Sequence, residues 1–116
     1  MVKKDKELSK IVDIIVRNAL PRRIFLFGSR AMGSARKNSD YDLFVLVKNG
    51  GNTRKIEKEL YYLMAKNGVG VPVDLVVGSE DKFEELKGNR YLVYREIDKY
   101  GKTIYEEKTA YKSKIR

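Results

Sequence analysis

The chain has 116 residues, of which 42% are hydrophobic, a length and composition that suit one domain with a modest core. It contains no cysteine and no histidine, which excludes disulfide scaffolds, zinc fingers, thiol nucleophiles and imidazole bases. The 25 Lys and Arg residues against 16 Asp and Glu give a net charge of +9 at pH 7, which favours anionic partners such as phosphates or nucleic acid.

The N-terminal half begins with a predicted amphipathic helix over about residues 5 to 19, which Pro21 ends. Its apolar residues recur with helical spacing, at Leu8, Ile11, Val12, Ile15 and Ala19. The apolar run 24–27 predicts a buried, central strand that ends in a tight turn at Gly28 and Ser29.

Between residues 30 and 66 the sequence predicts a short basic connection, a strand and a helix. Residues 30–39 have room for no more than a turn or two of helix, and the β-rich run 41–47 predicts the second strand. Thr53 is the expected cap of a helix that continues to about Lys66 and stops at Gly68.

The C-terminal part begins with a predicted third strand over 71–77, which has Pro72 near its start. Ser79 then begins a helix or helix pair that ends at Gly101, and residues 102–105 are a candidate edge strand.

This order of elements predicts an α/β fold with a small mixed sheet of three to four strands flanked by helices. The short link between the first two strands favours antiparallel pairing, and the crossover helix favours parallel pairing of the second and third strands. Residues 1–107 are expected to form a single domain, and 108–116 a basic C-terminal tail.

No apolar run approaches the roughly 18 residues that a membrane span requires. The N-terminus leads into a charged amphipathic stretch and lacks the apolar segment of a secretory signal. The expected location is therefore the cytoplasm, without membrane association.

Three carboxylates are candidate metal ligands. Asp40 and Asp42 are two residues apart at the start of a strand, so both side chains lie on one face, about 6 to 7 Å apart. Asp74 is the single charge in the apolar run 71–77 and would join them if the third strand lies beside the second. Oxygen ligands of this kind specify Mg²⁺ or Mn²⁺. Each acid, taken alone, could instead be a turn residue, a strand-start residue or half of an ion pair.

The turn at Gly28 and Ser29 is a candidate phosphate site, because a strand that breaks into a small-residue turn presents backbone N–H groups to phosphate oxygens. Antiparallel pairing of the first two strands would bring this turn beside Asp40 and Asp42. Five basic residues and no acidic one lie between Pro21 and Ser39: Arg22, Arg23, Arg30, Arg36 and Lys37. This polarity suits a triphosphate, although an ordinary turn and solvated loop cations would give the same pattern.

These residues resemble a known signature. Gly28-Ser29, ten intervening residues and Asp40-Tyr41-Asp42, within IFLFGSRAMGSARKNSDYDLFVL, resemble the motif of the nucleotidyltransferase superfamily related to DNA polymerase β. The short chain, the VPVDLVV strand and the ending REIDKYGKTIYE look like its minimal nucleotidyltransferases, the partners of HEPN-domain proteins in prokaryotic toxin–antitoxin pairs. The resemblance spans roughly residues 10 to 107.

The resemblance implies the nucleotidyltransferase fold and a magnesium-dependent transfer of AMP from ATP. The acceptor would be a hydroxyl group, a tyrosine of a HEPN-type ribonuclease toxin, so that the chain acts as an antitoxin. By the family's pattern Asp40 and Asp42 would ligate two Mg²⁺ ions. Asp74 would help to ligate a metal and deprotonate the acceptor.

The resemblance also assigns the phosphate contacts. Gly28 and Ser29 would hold the phosphates of ATP. Members of the group often carry Arg where this chain has Met32, and Arg30 and Arg36 are close enough in sequence to supply the missing contact.

Two other classes of function compete with this one. A small-molecule, antibiotic-type nucleotidyltransferase is less favoured, because metal, triphosphate and core use most of the 116 residues and leave no second domain for the acceptor. The other competing class is a binding protein without catalytic activity. It would be an antitoxin that only binds its partner, or a protein that contacts nucleic acid through the net charge of +9. Nucleic-acid binding is not favoured, because the eight tyrosines are spread over predicted helices and strands and form no aromatic platform.

Overall fold

The computed structural model describes residues 6–33, 40–89 and 92–107. They form a four-stranded mixed sheet with helices on both faces. The helices and strands in chain order are α1 (Lys6–Ala19), β1 (Arg23–Phe27), α2 (Gly28–Ala31), β2 (Tyr41–Val47), α3 (Thr53–Lys66), β3 (Val73–Ser79), α4 (Glu80–Leu86), α5 (Val93–Tyr100) and β4 (Lys102–Glu106). The predicted α/β class is confirmed. The predicted basic tail, 108–116, lies outside the described residues.

The sheet has the strand order β3-β2-β1-β4. β1 pairs antiparallel with both β2 and β4, and β2 pairs parallel with β3, as the lengths of the connections predicted. β1 and β2 are central, because their residues are almost entirely apolar and are covered on both faces of the sheet.

The third strand begins two residues later than its apolar run predicted. Val71 and Pro72 precede β3, which starts at Val73 and continues to Ser79. Pro72 has no N–H to donate to the sheet, but its carbonyl accepts a hydrogen bond of 3.0 Å from the backbone N–H of Tyr41. This bond fixes the start of β2 against the start of β3.

Each face of the sheet has its own core. α1 and α3 cover one face, and alternate residues of β2 such as Leu43 and Val45 point into this aliphatic core. The other face carries an aromatic core under α4 and α5, in which the ring of Phe44 lies 5.3 Å from Phe83 and 5.5 Å from Tyr94 between centroids. α5 is held over this face by Tyr94 and the fully buried Ile97.

None of the helices in residues 6–33, 40–89 and 92–107 is long and apolar enough to cross a membrane.

Candidate active site

The carboxylates of Asp42 and Asp74 meet at the start of two neighbouring strands. The parallel register pairs Asp42 of β2 with Asp74 of β3. By the alternation of strand residues both lie on the aromatic face, the face of Phe44 and Val76. Their carboxyl groups lie within hydrogen-bonding reach, so that a proton on either one would be shared between them, and Asp40, one residue before β2, lies close enough for its charge to act on Asp42.

The pKa of Asp42 is raised above its ordinary value. Burial of this half-buried side chain is the largest cause, followed by the negative charges of Asp74 and Asp40, the hydrogen bond to Asp74 and the charge of Glu96. Every one of these effects disfavours the ionised carboxylate. Binding of a proton or a cation by the Asp42 carboxylate therefore lowers the free energy of the folded chain.

Glu96 is a site residue that the sequence pattern does not predict. It lies on α5, more than fifty positions after Asp42 in the chain, and approaches it only because α5 packs on the aromatic face. The local sequence around Glu96 has no feature that indicates that its charge acts on Asp42.

Gly28 lies directly against Asp42. The antiparallel register pairs Phe27 with Asp42, which brings the following glycine beside the carboxylate. A Cβ atom at Gly28 would overlap the Oδ2 of Asp42, and the φ angle of +74° lies in the left-handed region. Two separate reasons therefore require glycine at position 28: the close approach of its backbone to the Asp42 carboxylate and its left-handed backbone conformation.

The predicted phosphate residues begin the short helix that follows β1. α2 starts at Gly28 and Ser29, and the side chain of the preceding Phe27 does not cap its first turn. The guanidinium carbon of Arg30 lies 3.9 Å from the centroid of the Tyr41 ring. Tyr41 is a buried residue, and in the sequence it stands between Asp40 and Asp42. Arg36, the other predicted phosphate contact, lies outside the described residues.

The carboxylate oxygens of Asp42 and Asp74 are ligands that suit Mg²⁺. In the described part of the chain, no three acidic side chains lie close enough together to hold a metal ion by themselves. Mg²⁺ usually binds through one or two carboxylates and completes its shell with water and substrate phosphates. Asp42 and Asp74 supply two hard oxygen ligands, and the missing Cβ of Gly28 leaves the backbone close to them. The residues therefore fit this ion, with a nucleotide as co-ligand.

The fold and the sequence together define the class of protein. The model of the polymerase beta nucleotidyltransferase family matches residues 9–110, and the chain belongs to this family. Comparison with curated protein sequences gives no match.

Several solved structures have the same fold. A mutant of the toxin–antitoxin MntA-HpeT is 21% identical, with a TM-score of 0.60 over 90% of this chain and 77% of that one. A toxin–antitoxin with AMP-PNP is 22% identical, with a TM-score of 0.56 over 93% of this chain and 77% of that one. The complex of the tri-AMPylated Shewanella oneidensis HEPN toxin with its MNT antitoxin gives 18% identity and a TM-score of 0.53, over 95% and 78%. The resemblance to the nucleotidyltransferase superfamily that the sequence predicted is confirmed by the family match.

Proposed function

We propose that this chain is a magnesium-dependent nucleotidyltransferase that transfers AMP from ATP to a tyrosine hydroxyl of a HEPN-type ribonuclease toxin and thereby acts as its antitoxin. The observation that carries the proposal is the packing of Gly28 against Asp42, whose strand neighbour in the parallel register is Asp74. A phosphate-binding turn and a pair of metal-ligating acids then lie in contact. The similar structures include one with AMP-PNP and one with an AMPylated HEPN toxin.

The three acids have distinct roles in the proposed reaction. Asp40 and Asp42 would ligate two Mg²⁺ ions, with Asp74 as a third ligand. The bound ions would neutralise charge on the attacking and leaving oxygens. Asp74, exposed on β3, would accept the proton of the acceptor hydroxyl.

The transfer itself exchanges one bond to phosphorus for another. The acceptor oxygen forms a bond to the α-phosphorus of ATP, the bond from that phosphorus to the bridging oxygen breaks, and pyrophosphate leaves. The protein contributes positioning and charge, since phosphoryl transfer needs little covalent chemistry from side chains.

The turn after β1 would hold the triphosphate. Gly28 and Ser29 would present backbone N–H groups and a hydroxyl to the phosphates, and Arg30 and Arg36 would add positive charge. The ring of Tyr41 under the Arg30 guanidinium restricts where that cation can lie, which lowers the entropic cost of the contact.

Pyrophosphate release separates the competing classes of function. We expect the wild-type chain with ATP and Mg²⁺ to release pyrophosphate only when a HEPN-type partner encoded beside it is added, and to release none with EDTA. Release with an aminoglycoside and no partner would favour the small-molecule enzyme. Inhibition of the toxin without any pyrophosphate would favour the idle binding antitoxin, and either result would contradict the proposal.

A further inference from the structure

β3 is an edge strand of the sheet. Its inner edge pairs with β2, and among the residues that the structure describes no strand pairs with its outer edge. The sheet therefore holds β3 by main-chain hydrogen bonds on one side only, and its position depends on what lies against the outer edge. Asp74, the proposed third metal ligand and proton acceptor, is the second residue of this strand.

The side chain of Tyr61 reaches the outer edge of β3 directly after Asp74. Tyr61 lies in α3, and its hydroxyl oxygen accepts a hydrogen bond of 2.8 Å from the backbone N–H of Leu75. The outward N–H groups of an edge strand otherwise bond to water or to another chain. At this position the tyrosine hydroxyl therefore takes the place of the neighbouring strand that β3 lacks on its outer side.

The peptide group between Asp74 and Leu75 is held from two directions. A trans peptide group is planar, and its C=O and N–H point in opposite directions. Since the N–H of Leu75 points to the outer edge, the C=O of Asp74 points toward β2, with which both residues pair in register. The orientation of this peptide group sets the ψ angle of Asp74, so holding it limits the direction in which the Asp74 side chain leaves the strand.

Tyr61 extends from a firmly packed part of α3. Leu60, directly before it, and Met64, one turn later, are buried in the aliphatic core. Beside Tyr61 a small cavity of about 160 Å³, lined also by Val71 and Val73, leaves space between α3 and the start of β3. Because side-chain packing is incomplete there, the hydrogen bond of Tyr61 contributes more to the attachment of β3.

We propose that Tyr61 is a positioning residue for the transfer reaction, which holds Asp74 beside Asp42 through the backbone N–H of Leu75. The inference rests on the proposed function, since it requires Asp74 to bind a metal ion or to accept the proton of the acceptor hydroxyl. Without a bound cation the carboxylates of Asp42 and Asp74 repel each other across the two strands. A hydroxyl fixed against the outer edge opposes the displacement of β3 that this repulsion favours. Small displacements of a reacting group slow a reaction strongly, because transfer requires a defined geometry.

The kinetics of AMP transfer by Tyr61→Phe test this role, because the substitution removes the hydroxyl and keeps the ring. We expect kcat to fall on the order of tenfold while the KM for ATP stays the same. In single-turnover reactions of Asp74→Asn, the same substitution should cause no further loss, since the carboxylate that Tyr61 positions is already gone. Tyr62→Phe is the matched control, because it removes the hydroxyl of the neighbouring exposed tyrosine on α3 and should leave kcat unchanged.

Other results overturn the inference in distinguishable ways. Equal kcat in Tyr61→Phe and wild type would show that the hydrogen bond does not position Asp74. A loss of the same size in the Asp74→Asn background, or an equal loss in Tyr62→Phe, would give Tyr61 a general structural role instead. A higher KM for ATP with an unchanged kcat would mean that Tyr61 acts on nucleotide binding. Absence of transfer by the wild-type chain would contradict the proposed function itself.

Discussion

Asp42→Asn should lower AMP transfer on the order of a thousandfold or more and, at the same time, raise the stability of the metal-free protein. A ligand of a metal that stabilises the transition state contributes several kcal/mol to the rate. In the absence of metal the same carboxylate is repelled by Asp74 and Asp40, so neutralising it removes a like-charge cost. Melting curves and transfer assays on the same samples measure both effects.

The stability gain of Asp42→Asn should depend on pH in a defined direction. The folded-state pKa of Asp42 is raised, so its cost to stability is absent below the unfolded value of about 3.8 and is fully present once the pH exceeds the raised folded pKa. The advantage of the variant should therefore grow as the pH rises from about 3.8 and then level off. Unfolding without metal across a pH series checks this.

Magnesium and ATP should reverse the order of stability. At 100 times its Kd the ligand adds about 2.7 kcal/mol to the wild type, and the variant loses most of that gain. Glu59→Gln is a matched control, because it neutralises an exposed carboxyl on α3 and should alter neither transfer nor the ligand shift. If metal-free Asp42→Asn melted well below wild type and kept its full ligand shift, Asp42 would have a structural role and no metal role.

Gly28→Ala should lower transfer on the order of a hundredfold, because the added methyl group displaces either the Asp42 carboxylate or the turn itself. The variant should also lose about 1 to 2 kcal/mol of stability from the left-handed backbone conformation. Transfer rates and urea unfolding separate the two effects.

Gly50→Ala provides the control for backbone strain. Gly50 has a φ of +93°, and a Cβ atom there would meet nothing within 4 Å, so alanine adds strain without a clash. This variant should be destabilised to a similar extent and transfer AMP normally. Equal transfer by Gly28→Ala and Gly50→Ala would contradict the inference that the close approach of Gly28 to Asp42 builds the site.

The parts of the fold that local pattern determines could be predicted closely. β2 has the predicted bounds, because its apolar run is flanked by polar, glycine-rich segments. α3 ends where predicted, but Asn52 and not Thr53 caps it, since the Asn52 side chain accepts a hydrogen bond from the backbone N–H of Lys55. The predicted antiparallel pairing of β1 and β2, which the short connection favours, placed Gly28 beside Asp42, and the structure has this pairing. The placement of Asp74 depended on one assumption, that β3 pairs with β2, and the structure has this pairing.

The parts of the site that depend on packing between distant segments could not be predicted. Glu96 approaches Asp42 only because α5 lies over the aromatic face, and a cavity between the end of α2 and α5 depends on the same packing. Tyr94 and Ile97 hold α5 in this position through contacts with aromatic rings that are distant in the sequence. The stacking of Arg30 on Tyr41 likewise requires α2 to fold back toward the start of β2. No spacing rule relates residues across such separations.

The intact mass of the HEPN-type partner, measured after incubation with this chain, ATP and Mg²⁺, tests the proposed activity most directly. We predict that the partner gains the mass of one or more AMP units on tyrosine, and that EDTA or Asp42→Asn abolishes the gain. A partner of unchanged mass, with AMP found only on the 116-residue chain, would contradict the proposed activity.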